Sequence, residues 1–390
     1  MKARERLVAE LRKRIHEISP KEALALQARG AALVDVRESD EIAQGTAPGA
    51  LPLGRGFLEL RIEEAVPDLG RAIVAMCGTG HRSLFAAENL TRLGYESVYS
   101  MAGGFARWKV DGLPVEVPFA LGVQERERYS RHLMMPEVGE AGQTRLLRSK
   151  VLLVGAGGLG SPAAYYLAAA GVGTLGLVDH DVVERSNLHR QILHTDARVG
   201  SSKVASARQT LEALNPTVKM VGYETRLSSA NVDQILAGYD VVVDGSDNFP
   251  TRYLVNDACV KLGVPNVHGA VYRFEGQVSV FWPARPQRAG PCYRCLFPEP
   301  PSPQDAPSCA EAGVLGVLPG VIGLLQATET IKLLLGIGDP LVGRMLYFDA
   351  LHGSFSELAL ERDPTCRYCG DGCSFPGYID YERFCARPAE

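Results

Sequence analysis

Val151-Leu152-Leu153-Val154-Gly155-Ala156-Gly157-Gly158-Leu159-Gly160 decides how this chain folds. Four consecutive apolar residues without alternation predict a strand buried on both faces, and a helix is predicted over residues 162–170. Gly155, Gly157 and Gly160 between them let the chain turn tightly, approach a phosphate and pack the helix, whose N-terminus favours an anion. A second strand is predicted over residues 174–178 and another over 241–244 after a helix, which makes the region α/β with a mostly parallel, Rossmann-like sheet and helices on both faces. Asp179 ends the second strand about where a ribose-binding acid belongs. Taken alone these features say only nucleotide, with NAD as the default.

The residues that follow argue for a triphosphate. Ser186-Asn187-Leu188-His189-Arg190-Gln191 and then Lys203 place two cations and an amide near the phosphate site. Isolated, Arg190 and Lys203 would read as surface charges, but their grouping with the glycine loop points to phosphates. Asp247, in Asp244-Gly245-Ser246-Asp247-Asn248 at a strand's C-terminal end, is placed to hold Mg²⁺.

Working outward to the first third, Met76-Cys77-Gly78-Thr79-Gly80-His81-Arg82-Ser83 follows an apolar strand and opens a helix. Backbone N–H groups of such a loop, the positive helix end and Arg82 stabilise a thiolate or persulfide on Cys77. A cysteine at a strand end is more often a small core hydrophobe. The surroundings alter that reading: Leu33-Val34-Asp35-Val36-Arg37-Glu38, the Gly45, Pro48-Gly49-Ala50 and Pro52-Leu53 stretch, this loop, and Gly103-Gly104-Phe105 with Trp108 and Gly112-Leu113-Pro114-Val115 resemble a rhodanese domain in order and spacing. The resemblance implies a sulfurtransferase whose Cys77 receives a sulfane sulfur as a persulfide and passes it on, with Arg82 beside it and Asp35 and Arg37 supporting the loop.

The remainder resembles the MoeB/ThiF family, bacterial relatives of ubiquitin-activating enzymes. Arg128-Tyr129-Ser130-Arg131, the glycine loop, Asp179-His180-Asp181, residues 186–191, Gly200 with Lys203, Ser246-Asp247-Asn248, Cys292-Tyr293-Arg294-Cys295, Cys309-Ala310-Glu311-Ala312-Gly313-Val314 and Cys366 with Cys369 carry it. The resemblance implies that Gly155, Gly157, Gly158, Gly160, Asp179, Asn187, Arg190, Lys203 and Asp247 bind ATP and Mg²⁺. It also implies that Arg131 reaches the neighbouring subunit's ATP in a homodimer, and that Cys309 attacks the acyl adenylate or exchanges sulfur. A buried, inert thiol is the equal alternative for Cys309.

Nine cysteines form an odd set, and two Cys-x-x-Cys pairs, Cys292 with Cys295 and Cys366 with Cys369, match a closed structural zinc site. A redox pair or a ligand set shifted to Cys373 is the alternative. A net charge of −4 gives no cationic field for nucleic acid. The first residues lack the continuous apolar segment of a signal peptide, so the protein is expected in the cytoplasm. The apolar stretch 314–335 contains Pro319, Gln326, Glu329 and Lys332, which predicts a buried or dimer-facing helix rather than a membrane span.

The 390 residues divide by this reading into a leading amphipathic helix (1–17), a rhodanese-like sulfurtransferase domain (18–117), a linker (118–124), an adenylyltransferase domain (125–372) and an irregular tail (373–390). The leading helix is drawn by apolar Leu7, Val8, Leu11, Ile15 and Ile18, and residues 283–307 read as a long proline-rich loop. The combined expectation is ATP-dependent adenylylation of the C-terminal glycine of a ubiquitin-like sulfur carrier ending in Gly-Gly, followed by sulfur transfer to give the thiocarboxylate. The sulfur donor would be one such as a cysteine desulfurase or thiosulfate. The pathway, molybdopterin, thiamin, a thiolated metabolite or tRNA, resides in the carrier. Better-known fused relatives carry the rhodanese domain last, whereas here it comes first. The rivals are an adenylyltransferase whose rhodanese unit only docks a partner, and an NAD(P) oxidoreductase.

Overall fold

The computed structural model describes residues 3–117, 121–286, 289–301 and 313–386. The chain forms two compact units that part between Ala120 and Leu121.

In the first unit, strands β1 (His16–Ile18), β2 (Ala32–Asp35), β3 (Leu51–Pro52), β4 (Ile73–Met76) and β5 (Val98–Met101) form a parallel sheet in the order β1-β5-β4-β2-β3. β2 and β4 are buried along their whole length because helices cover both faces. Alternate residues serve different cores: Val34, Ile73 and Ala75 pack with Leu58, Ile62 and Leu90, while Leu33, Val74 and Met76 pack with Phe105 and Trp108. Trp108 Nε1 donates to Pro114 O at 2.7 Å, which ties the glycine-proline exit segment to the domain.

The leading helix is shorter than its apolar spacing predicts. It covers Ala3–Arg14, and His16–Ile18 instead pairs with β5 as an edge strand. Ser19 caps the helix Pro20–Ala28 in a reciprocal box with Glu22, and the residue before a proline is forced into extended backbone. Val8, Leu11 and Ile15 pack on Leu84 and Ala87, while Leu7 stays exposed.

The second unit carries β6 (Lys150–Val154), β7 (Thr174–Val178), β8 (Lys219–Tyr223), β9 (Val241–Asp244), β10 (Asn266–Tyr272), β11 (Glu275–Phe281), β12 (Arg344–Asp349) and β13 (Ser354–Ala359), ordered β13-β12-β11-β10-β9-β6-β7-β8. β8 through β10 run parallel, and β11 to β13 extend that sheet antiparallel. The chain leaves β6 toward β7 and later returns to its other side as β9. A crevice therefore opens at the C-terminal ends of β6 and β9, the place where strand order reverses.

The stretch expected to be buried forms the helix Leu318–Leu335, long and apolar enough for a membrane span by composition alone. Its polar groups are spent inside the domain. Gln326 Nε2 donates to Asp244 O (2.7 Å) and Val267 O (3.0 Å), and Glu329 accepts from Leu341 N at 2.8 Å. Two segments read as irregular contain helices. Tyr293–Leu296 interrupts the proline-rich loop, and Tyr381–Cys385 in the tail places the Tyr381 hydroxyl 2.8 Å from Asp257 Oδ2.

Candidate active sites

The crevice of the second unit is lined by Gly155, Gly157, Gly158, Asp179, Arg190, Gln191, Lys203, Arg226, Asp247 and Arg252, among others. Steric need for glycine is greatest where loop meets helix. A Cβ on Gly160 would lie 1.9 Å from Gly155 O, and Gly155 itself has φ 94°. Gly160 thus sits behind the crevice and holds its shape, whereas Gly157 meets only Gln191 Nε2 at 3.7 Å and leaves its backbone open to a ligand.

Asp179 organises this loop. Its Oδ2 accepts from Ala156 N and its Oδ1 from Asp181 N, both at 2.8 Å, which leaves further lone pairs for a sugar hydroxyl. Lys203 is buried and bonds Asp181 Oδ2 at 2.7 Å. Burial opposes the charge on Asp181, but the hydrogen bond and charge of Lys203 hold its carboxyl below the usual range. Arg190 Nη2 donates to Asn187 Oδ1 at 2.8 Å, so Asn187 orients the arginine without lining the crevice. Asp247 is exposed at the crevice, and among the described residues its side chain bonds its neighbour Asn248 at 3.3 Å. Arg131 stands outside this lining, exposed, with Nη1 3.9 Å from Met134 Sδ.

Several crevice residues carry no local sequence signal. Arg252 sits on the helix Phe249–Leu262, donates from Nη2 to Ser246 O at 3.2 Å, and keeps a buried Nε with no partner among the described residues. Its five-residue spacing from Asp247 is the one clue that could have found it. The Oε1 of Gln191 is likewise unpartnered. His194 supports the loop from behind, with Nε2 3.0 Å from Ala156 O and Nδ1 2.9 Å from Ser206 Oγ.

Burial, with the hydrogen bond to Ala156 opposing it, holds the His194 imidazole below its ordinary range. The unfolded chain therefore takes up this proton at a higher pH than the folded one. The contribution is complete above the ordinary histidine range and is lost as the pH falls below it. Urea unfolding at about pH 7.5 and about pH 5.5 should show a loss of stability on acidification that His194→Gln reduces, with one proton accounting for at most about 1.4 kcal/mol per pH unit. Equal losses in both proteins would contradict this assignment.

In the first unit, Cys77 ends β4 and is buried. Gly80 N donates to its sulfur at 3.1 Å, and Ser83 Oγ, itself 2.9 Å from Ser100 Oγ, lies 3.5 Å away. The loop's carbonyls are turned the other way by the helix Gly104–Val110, with Phe105 N bonding Cys77 O (2.7 Å) and Ala106 N bonding Gly78 O (3.0 Å). That contact needs glycine at 104, where a Cβ would fall 2.3 Å from Cys77 O. Asp35 and Arg37 form a buried ion pair at 2.6 Å, and Arg37 lies over the Phe105 ring, so they brace the helix that holds the loop.

Arg82 departs from expectation. Its two terminal nitrogens bond the two Glu41 oxygens at 2.7 Å each, so it reaches the sulfur only by charge at a distance. Hydrogen bonding to Glu41, more than the opposing burial, holds its guanidinium above the ordinary range.

Cys292, Cys295, Cys366 and Cys369 bring their sulfurs within 4.8 Å of one another, with separations of 3.8, 3.7 and 3.4 Å for three pairs. A disulfide is far shorter, at about 2.05 Å, whereas four thiolates at about 2.3 Å around a tetrahedral ion stand about 3.8 Å apart. The donor set and spacing fit zinc. Cys373 is exposed and outside this group. Cys309 lies outside the described residues.

Comparison with known proteins agrees with this geometry. The ThiF family model matches residues 129–368 and the rhodanese-like domain model residues 19–111. A sulfur carrier protein adenylyltransferase of Thermus thermophilus is 56% identical over 263 residues, covering 67% of this chain and 97% of that protein. A SAMP-activating enzyme E1 of Haloferax volcanii is 53% identical over 268 residues, covering 68% and 97%. A probable adenylyltransferase/sulfurtransferase MoeZ of Mycobacterium tuberculosis is 49% identical over 276 residues, covering 71% and 69%. The fold is shared with E. coli MccB crystallised with ATP, at TM-score 0.54 and 21% identity over 68% of this chain and 80% of that one. The chain belongs to the ThiF family and carries a rhodanese-like domain ahead of the family's own.

Proposed function

We propose that this chain adenylylates the C-terminal carboxylate of a ubiquitin-like sulfur carrier protein and then converts it to a thiocarboxylate. The observation that carries the reading is the gathering of Asp179, Arg190, Lys203 and Asp247 around the glycine loop of a chain that also holds the N–H-supported Cys77. ATP lies along the loop, its ribose on Asp179 and its phosphates facing Arg190 and Lys203. The carrier carboxylate attacks the α-phosphate, forming the acyl adenylate and releasing pyrophosphate. Arg190 and Lys203 offset charge that develops on the phosphates, and Asp247 is the residue that would hold Mg²⁺, which would add the same electrostatic support.

Cys77 bearing a persulfide then attacks the acyl carbon, forming an acyl disulfide and releasing AMP. A second thiol attacks the Cys77 sulfur and frees the thiocarboxylate, leaving a disulfide for an external thiol to reduce. Cys309 is the candidate for that thiol. We infer a homodimer in which exposed Arg131 serves the partner's ATP, and a cytoplasmic setting, which suits the free thiols at the described cysteines. Carrier-dependent exchange of pyrophosphate into ATP tests the reading. Exchange that needs no carrier, or nicotinamide binding in its place, would overturn it.

Zinc held by the four cysteines would staple the Tyr293–Leu296 segment to the residues after β13. Cys366→Ser should abolish stoichiometric zinc in the purified protein and lower its stability by at least about 3 kcal/mol. Metal content by emission spectroscopy and the urea midpoint check this. A zinc-free wild type of unchanged stability would refute it.

A further inference from the structure

The mouth of the Cys77 loop pairs its cation with an acid from another element. Glu41 belongs to the short helix Ser39–Ala43, and Arg82 opens the helix Arg82–Arg92. The pair is bidentate, and it sits on the loop itself. A Cβ placed on Gly78 would be 3.3 Å from Arg82 Nη2 and 3.4 Å from Glu41 Oε1. Glu41 is further fixed at its own helix start, where its Oε2 accepts from Glu38 N at 3.4 Å. The Glu38 carboxylate also acts on Arg82 by charge. One carboxylate thus holds the guanidinium directly over the residue that follows the nucleophile, and a second acts on it by charge alone.

A loop built to take small oxyanionic donors needs an uncommitted cation, because such donors carry two negative charges and a sulfonate that must be neutralised. Here both terminal nitrogens of the guanidinium are held by Glu41. A persulfide on a protein cysteine brings no sulfonate. It needs only to present its outer sulfur to Cys77.

We propose that Glu41 selects the sulfur donor: by occupying Arg82 it bars thiosulfate-like dianions and leaves Cys77 to be charged by a persulfide carried on another protein's cysteine. In that step the Cys77 thiolate attacks the outer sulfur of R–S–SH. The donor's S–S bond breaks, a new one forms at Cys77, and R–S⁻ leaves. One S–S bond replaces another, so no oxidant or reductant is required. With thiosulfate the leaving group would be sulfite. The proposal rests on Cys77 being the sulfur-accepting residue.

The test compares full-length wild type, Glu41→Gln and the Glu41→Gln/Arg82→Ala double variant, with cyanide as the sulfur acceptor. Donors are thiosulfate or a cysteine desulfurase supplied with cysteine, and thermal melts verify folding. Glu41→Gln should raise kcat/KM for thiosulfate by about tenfold or more, chiefly through KM and most strongly at low salt, without a comparable gain from the desulfurase. The added Arg82→Ala should cancel the gain. A folded Glu41→Gln protein whose thiosulfate KM matches wild type, or a wild type that uses thiosulfate as readily as the desulfurase, overturns the proposal alone. Failure of every protein to turn over sulfur from either donor overturns the sulfurtransferase reading as well.

Discussion

Asp247→Ala should lower carrier-dependent ATP–pyrophosphate exchange by about 10²- to 10³-fold, the size of effect seen when a preorganised group facing developing charge is removed. Asp247 follows β9 at the crevice, and among the described residues its side chain bonds Asn248 alone, at 3.3 Å, which leaves carboxylate lone pairs for a cation. It is also exposed, which separates chemistry from folding. The urea midpoint of the variant should match wild type within about 0.5 kcal/mol of stability. Lys203 would be a poorer target, because removing it leaves Asp181 without its 2.7 Å partner and mixes structural loss with catalytic loss. An Asp247→Ala protein that exchanges at the wild-type rate would remove this residue from the metal and phosphate site.

Cys77→Ser should divide the reaction in two. Pyrophosphate exchange, which belongs to the second unit, should stay within about twofold of wild type, while thiocarboxylate formation should fall on the order of 10³-fold or more, since a serine cannot carry a sulfane sulfur. The substitution is nearly isosteric, and Gly80 N retains an acceptor in place of the sulfur it bonds at 3.1 Å. Intact-mass analysis of the carrier separates the two outcomes. Unreduced thiocarboxylate yield in Cys77→Ser would make the rhodanese-like domain a docking module and end its assignment as sulfurtransferase.

The parts of the fold legible in the sequence are those where one short segment does several jobs. The run from Val151 to Gly160 had to be strand, phosphate turn and helix start at once, and few residues other than glycine could meet the 1.9 Å contact behind Gly160. The four clustered cysteines were legible because each pair delivers two thiols from a single turn. β1 was hidden because three residues, His16–Ile18, are too few to show a period of their own, and what makes them a strand is their pairing with β5. Glu41 and Arg82 lie 41 positions apart, so their pairing is a product of the sheet that brings β2 beside β4. Arg252 was missed for a related reason. It reaches the crevice from a helix whose facing is set by tertiary packing, and a lone arginine on a helix reads as solvated surface.

In the proposed function one polypeptide both activates a carboxylate and supplies sulfur to it. Its most direct test is the intact mass of a carrier protein ending in Gly-Gly after incubation with ATP, Mg²⁺, a persulfide donor and this chain as the sole activating enzyme. Replacement of one carboxylate oxygen by sulfur, dependent on ATP and on Cys77, is the predicted result. Accumulation of AMP and pyrophosphate with the carrier mass unchanged in the presence of charged donor would contradict it.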